Sequence, residues 1–357
     1  MSLIDGYLIR TILFTTAMVT LVLVSLIGFV NFIGEVGDIG TGRYSLDDAL
    51  IFVIAGLPQD IYEMAPFSAL LGTLLGLGGL AAHGELIAVR AAGVSVGRMV
   101  ASALVAGIVI MLVAAVLGEL IAPPAEQFAR RQRLLAMNDQ LSLPGGRSAW
   151  MKDGNLIINM QQLDSADRLS GISVFELDDD EPKLRVLSRA RSARFDPDSK
   201  RWALEHVTAT VFSETAITTQ FEEERTALPN VSPSVMSLSV VNPDALATRA
   251  LYRYIRYLER NELKADTYEV AFWSRLAIFA SIPLMCVLAV PFTLTQARSG
   301  GAGQRLLIGA LIGIGFYLLT KLMANTGEVF SLDPIVAAWT PAAVLLVFSY
   351  FMVQRVR

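Results

Sequence analysis

A phosphate-cradling loop ends in Lys followed by Ser or Thr, so that an ammonium and backbone amides together meet a nucleotide's phosphates. The five lysines of this chain are Lys152, Lys183, Lys200, Lys264 and Lys321, and none is followed by either residue. Gly93-Val94-Ser95-Val96-Gly97 matches the G-x-S-x-G pattern of hydrolases. That nucleophile needs a preceding strand and a nearby His–acid pair, whereas here the pattern falls in a short turn between two apolar segments. The histidines, His83 and His206, fall on opposite sides of any membrane the apolar segments would span, so they cannot share a zinc ion. Cys286 has no second cysteine to bridge to, which excludes a disulfide-built secreted domain. What remains is a set of charges in apolar surroundings: Asp60, Glu63, Arg275 and Lys321. Charge at membrane depth is costly and marks function or mutual pairing. Asp60 and Glu63 could serve as acid and base in an enzyme that modifies an envelope lipid. All four could instead contact a lipid headgroup.

The elements that must position these groups follow from where charge is absent. Of 62 charged side chains in 357 residues, 40 lie in residues 126–266. The chain is therefore a hydrophobic polymer with a water-soluble domain inserted, and a wholly soluble globule is excluded. The net charge of −4 argues against nucleic acid as the main partner. Thr11–Gly34, Met64–Ala82, Met99–Gly118, Leu276–Ala297 and Pro334–Gln354 carry no charge, and Leu306–Gly327 carries only Lys321. About 20 residues of helix cross a bilayer core of about 30 Å, so six spans are predicted, the second starting earlier because Ala49–Gln59 is also apolar. The first lacks the shape of a cleaved signal peptide and stays as a helix. Arg10, Arg90, Arg98, Arg298, Arg305, Arg355 and Arg357 lie on one side; Arg43 and six acids lie in the short segments of the other. The positive-inside bias makes the arginine side cytoplasmic and puts the insert outside. Gly72-x-x-x-Gly76 and Gly309-x-x-x-Gly313 predict close helix approach, and Pro58, Pro66, Pro283 and Pro291 predict bends in spans two and four.

Within the insert, Asn155–Met160, Gly171–Leu177 and Trp202–Phe212 read as short strands separated by turns, which predicts a β-sandwich or jelly roll. The domain limits that follow are 1–125 for spans one to three, 126–243 for the all-β domain, 244–266 for a helix and 267–357 for spans four to six. In that helix Arg249, Arg253, Arg256 and Arg260, spaced 4, 3 and 4, form one stripe, with Leu251, Tyr254, Ile255 and Leu258 opposite. It reads as amphipathic and is expected at the outer membrane surface, as a solvated basic face on headgroups or as a dedicated anion-binding stripe.

Residues 83–93, between spans two and three, read as a short helix with Glu85 in its first turn, Arg90 in its last and Gly93 ending it. Leu86, Ile87 and Val89 are unusually apolar for a solvated connection and suit a peg that docks in another protein. Pro66–Gly72 running into Leu77-Gly78-Gly79-Leu80, then Gly84–Gly93, resembles the lipopolysaccharide-export permease family (LptF/LptG). Tyr7–Leu13, Phe195-Asp196-Pro197 with Trp202, and Phe272-Trp273-Ser274-Arg275 extend the likeness over the whole chain, nearer the LptG side.

The resemblance implies a polytopic helical protein of six transmembrane helices with an inserted periplasmic jelly-roll-like domain, in the inner membrane of a Gram-negative cell, both termini cytoplasmic. It implies a non-catalytic permease subunit that pairs with an LptF-like chain. Two LptB ATPase subunits would bind the ATP and magnesium, this chain holding no cofactor, and LptC would join. The complex would draw lipopolysaccharide from the membrane and hand it to a periplasmic bridge. Residues 83–93 would be the coupling helix, with Glu85, Leu86, Ile87, Val89, Arg90 and Gly93 toward the ATPase. Where relatives carry basic residues for the lipid phosphates, Asn31 and Gln59 stand here, leaving Arg43, Arg275 and Lys321 as cations for that role. An intramembrane lipid-modifying enzyme and a non-transporting envelope scaffold are the alternatives.

Overall fold

The structure, a computed structural model, describes residues 3–137, 149–165, 168–178, 183–196, 201–213, 216–229, 246–295, 302–330 and 332–356. It divides into two units: Met1–Ile39 with Leu46–Arg130 and Asp266–Arg357, and Gly40–Ser45 with Arg131–Ala265.

The first unit is helical. Its elements are α1 (Leu3–Val36), α2 (Leu46–Ala82), α3 (Glu85–Ala91) and α4 (Val96–Val116), which passes through a π-helical turn (Leu117–Ile121) into α5 (Ala122–Met137). After the insert come α7 (Asp266–Thr295), α8 (Ala302–Phe330) and α9 (Pro334–Val356). Among the described residues, six helices are long and apolar enough to cross a membrane: α1, α2, α4 continued into α5, α7, α8 and α9. All are longer than the charge-free intervals alone, because a helix does not stop where the first charge appears. α2 in particular runs unbroken through Pro58, Asp60, Glu63 and Pro66.

Both glycine pairs act at crossings. A Cβ on Gly72 would collide with Thr16 of α1, and one on Gly76 would lie 2.6 Å from Thr15 Oγ1. The space is used: Thr15 Oγ1 donates to Gly72 O at 2.7 Å. On another side of α2, Gly309 and Gly313 of α8 face Leu71, Leu74 and the Phe67 ring, which leave no room for side chains. α2 is thus the most enclosed span, 78% buried along its apolar window against 22% for α1 and 11% for α8. Its core continues into α7 through Ile282, Met285, Cys286 and Ala289.

The second unit holds one six-stranded antiparallel sheet in sequence order: β1 (Ala149–Asp153), β2 (Leu156–Ser165), β3 (Arg168–Leu177), β4 (Leu184–Asp196), β5 (Arg201–Phe212) and β6 (Ile217–Pro229). β2, β3 and β5 are longer than the three segments read from sequence, β1, β4 and β6 were not read there, and the alternation of the strands breaks at one line. Met160, Ile172, Ala190 and Val207 pair across the sheet, as do Leu169, Ala193 and Leu204 three residues further along. Three residues apart on a strand means opposite faces, yet all seven lie in one buried cluster with Trp202. Between the rows Gly171 has φ +66° and His206 φ +54°. These left-handed residues crease the sheet, so both halves face a common core, which gives the insert its jelly-roll-like character. Gly171 also leaves room for Gln161, whose Oε1 would be 2.7 Å from a Cβ there.

α6 (Thr248–Arg260) follows the sheet. Its apolar residues Leu251, Tyr254, Ile255 and Leu258 are buried in the protein, and Arg249, Arg253, Arg256 and Arg260 are exposed. The helix is pinned to the β1–β2 hairpin: Tyr257 OH donates to Lys152 O at 2.5 Å, and Asn261 Oδ1 accepts from Gly154 N–H at 2.9 Å. The apolar face opposite the arginine stripe is therefore not open to a bilayer. The protein itself covers it.

Candidate functional site

At the end of the helical unit that carries α3, the chain builds a braced peg. Gly84 enters it at φ +76° and Gly93 leaves it at φ +86°, conformations that suit glycine at both turns. Ser95 then caps α4, its Oγ accepting from Arg98 N–H at 3.3 Å. The G-x-S-x-G match is thus a helix start, with its serine occupied as the cap. Of the six residues expected to face an ATPase, Leu86 is buried in the core of its own unit and Val89 packs against it. They hold the peg down. Glu85, Ile87, Arg90 and Gly93 are exposed, Ile87 at 57%. Because α3 has only two turns, one face must anchor and the other must present.

Two polar contacts tie this peg to the start of α1. Tyr7 OH donates to Glu85 Oε2 at 2.6 Å. Arg98, at the start of α4, grips Asp5 with Nε at 2.9 Å and Nη2 at 3.0 Å. Sequence reasoning named Glu85 and missed Tyr7, whose only signal was its place in the Tyr7–Leu13 match. Arg305 is also inside the protein at this end, its guanidinium donating to Gly78 O across a glycine with no room for a Cβ.

At the opposite end, one turn of α2 collects three of the expected lipid-contact positions. Asn31 Nδ2 donates to Asp60 Oδ2 at 3.4 Å, and Gln59 Nε2 donates to Glu63 Oε1 at 2.8 Å. Both amides therefore serve carboxylates of their own chain. Arg275 is 4% exposed and donates to Glu119 Oε1 at 3.0 Å. Its guanidinium lies 5.3 Å from the centre of the Tyr62 ring, which in turn sits 5.4 Å from that of Phe279. Glu119 lies in the π-helical turn, where Ala122 N–H reaches back five residues to Leu117 O; such turns re-aim side chains within a helix. Neighbouring Gly118 lies flat against the Tyr62 ring, with 2.8 Å left for a Cβ. Lys321 is apart from this cluster, exposed on α8. Arg43 belongs to the other unit, where its N–H donates to Ala136 O at 2.7 Å.

Between these ends α1, α2 and α4 line an open apolar cavity of about 760 Å³, with Leu21 and Val24, Val53 and Leu57, Val109 and Val113 among its walls. The surfaces of α1 and α8 beyond it are strongly apolar and uncovered, with Phe14, Met18, Phe29, Leu311 and Leu318 more than half exposed. Among the described residues no group of His, Cys, Asp and Glu could hold a metal ion.

A short helix tied to its own unit, bare apolar helix faces and a creased sheet insert are the features of a chain that sequence comparison matches from end to end. The family model described as lipopolysaccharide export system permease LptF/LptG matches residues 6–355. The lipopolysaccharide export system permease protein LptG of Escherichia coli (strain K12) is 31% identical over 356 residues, 99% of this chain and 98% of that protein. Its namesake in Haemophilus influenzae is 27% identical over 355 residues, 99% of both chains. Matched from end to end in this way, the chain belongs to the lipopolysaccharide export permease family LptF/LptG.

Proposed function

We propose that this chain is the LptG-type membrane subunit of a lipopolysaccharide exporter, moving lipid out of the inner membrane toward a periplasmic bridge while a separate ATPase supplies the energy. The observation that carries this reading is α3. It is fixed to its own unit through Leu86 and Val89, and it offers Ile87, Arg90 and the outer side of Glu85 to a partner. An LptB-type ATPase, binding ATP and magnesium, is the partner such a peg fits. The arginine bias places α3 and both termini in the cytoplasm and the β-domain in the periplasm.

The contacts give the push a route. Displacement of α3 is felt at Tyr7 through the Glu85 hydrogen bond, and so at the start of α1, which Asp5–Arg98 links to α4. α1 lines the apolar cavity from Leu13 to Gly28. Its bare face and that of α8 are the surfaces for an LptF-like partner, for the single span of LptC and for lipid acyl chains. Lys321 and Arg43 are the cations we assign to the lipid phosphates. Arg275 is assigned to holding α7 against the π-helical turn, because its charge is already answered by Glu119 and Tyr62.

Co-purification in mild detergent tests the reading. The wild-type chain brings down an ATPase and a homologous six-span partner, and Glu85→Lys weakens the ATPase association while the chain stays in the membrane. An ATPase that binds the Glu85→Lys chain as well as wild type removes α3 from the docking role. A chain that purifies with no nucleotidase at all removes the exporter reading.

A further inference from the structure

The arginine face of α6 takes no part in the docking and lipid contacts proposed above. Arg249, Arg253, Arg256 and Arg260 are exposed along one side of a 13-residue helix. Apart from Arg256, which donates to Tyr252 OH at 3.3 Å, they form no ion pair or hydrogen bond among the described residues. An ordinary solvated face alternates acids with bases, since opposite charges three or four residues apart stabilise a helix and like charges destabilise it. Here each step from one stripe arginine to the next is Arg against Arg, and Glu259 is the one acid three or four residues from any of them, in a chain whose net charge is −4. The helix tolerates this repulsion because its other side is anchored by Leu251, Leu258 and the Tyr257 and Asn261 contacts to the β1–β2 hairpin. A rigid row of guanidinium forks matches several phosphates at once. Sequence places it next to a bilayer, with five residues between Arg260 and the first residue of the spanning helix α7.

We infer that α6 docks its arginine stripe onto the phosphates of anionic lipid headgroups in the outer leaflet. The geometry is the reverse of an inserting amphipathic helix: the apolar side stays in the protein, and contact is electrostatic and confined to headgroup depth. This needs only that α7 spans the membrane, so it stands or falls separately from the export reading.

The test uses the full chain in lipid nanodiscs. Its native cysteine, Cys286, is buried, so Glu259→Cys, exposed beside the stripe, takes a fluorophore selectively. With a quencher on the lipid headgroup, quenching rises about twofold when a quarter of the phosphatidylcholine is replaced by phosphatidylglycerol. It falls back at about 0.5 M salt, where screening acts over roughly 4 Å. The joint Arg→Gln variant of all four positions loses the response and the joint Arg→Lys variant keeps most of it, so a folding defect in the first does not decide the matter. Equal quenching in neutral and anionic discs, or a response that survives the Arg→Gln change, overturns the proposal. Quenching from a mid-acyl-chain position as strong as from the headgroup overturns it in favour of insertion. A label that answers soluble polyphosphate in neutral discs but ignores phosphatidylglycerol overturns it in favour of a free polyanion site.

Discussion

Removing the acid from the Arg275–Glu119 pair should cost more than removing the base. The Arg275 side chain is 5% exposed and that of Glu119 is 24% exposed, with 3.0 Å between Nη1 and Oε1. Glu119→Gln takes the opposing charge away from a guanidinium that cannot shed its proton in a closed site. A buried charge stranded in this way costs about 3 kcal/mol, roughly a 150-fold change in the folded-to-unfolded ratio at 1.4 kcal/mol per decade. Arg275→Met leaves a carboxylate that can be neutralised by a proton or reach water, and should cost about half as much. The joint replacement removes both charges and should recover most of the stability, since an apolar pair in place of a buried ion pair is often neutral. Cys286 supplies the assay: it is buried, so a dye that fluoresces on reaction with thiols reports the opening of the α2–α7 core during heating. At roughly 2 °C per kcal/mol for a chain of this size, Glu119→Gln should lower the midpoint by about 6 °C, Arg275→Met by about 3 °C, and the double variant by least. Midpoints that drop for Arg275→Met but not for Glu119→Gln would refute the reasoning. If Arg275→Met left the midpoint unchanged while abolishing lipopolysaccharide crosslinking nearby, the residue would belong to the lipid site.

Tyr7→Phe removes the hydroxyl that holds Glu85; the ATPase should still bind and hydrolyse ATP, with lipid released per ATP falling several-fold, measured in proteoliposomes. Unchanged yield would mean that α3 acts through α2 alone. Gly72→Val forces a branched side chain into the Thr16 backbone, and overpacking of this kind costs about 3 kcal/mol, read by the same thiol assay; a wild-type midpoint would show that α1 and α2 separate freely. His206→Gly relaxes a left-handed residue in the crease and should stabilise the β-domain by about 1 kcal/mol, seen as slower proteolysis between β5 and β6. Faster cleavage would mean that the imidazole holds the crease. A photo-crosslinker at exposed Lys321 should capture lipopolysaccharide in working complexes, and failure there with capture at Leu318 would leave the phosphates to other cations.

The six spans were legible because long charge-free runs have few alternatives, and the glycine pairs because close crossing leaves a spacing in the sequence. The coupling segment was legible as a unit but not by residue. With two turns of helix, no periodicity separates Leu86, which is buried, from Ile87, which is bare. The partner of Arg275 was hidden because Glu119 is 156 residues away and sits in a π-helical turn that leaves no mark in composition. The sheet crease escaped because it turns on His206, a residue no pattern flags for a left-handed conformation. In α6 the amphipathic pattern correctly announced an apolar face. A pattern cannot say whether lipid or protein will cover it, and here protein does.

The π-helical turn at Leu117–Ile121 also constrains how this helix can tolerate length change. Each residue added or lost in a helix swings everything beyond it by about 100°, and this turn already holds one more than regular winding would. Deleting a single residue there would restore regular winding and leave Glu126 and Arg130 on about the same side of the helix, while re-aiming Glu119 within the turn. Point substitutions at the surface of this segment can drift, but its residue count is locked to the aim of a single carboxylate.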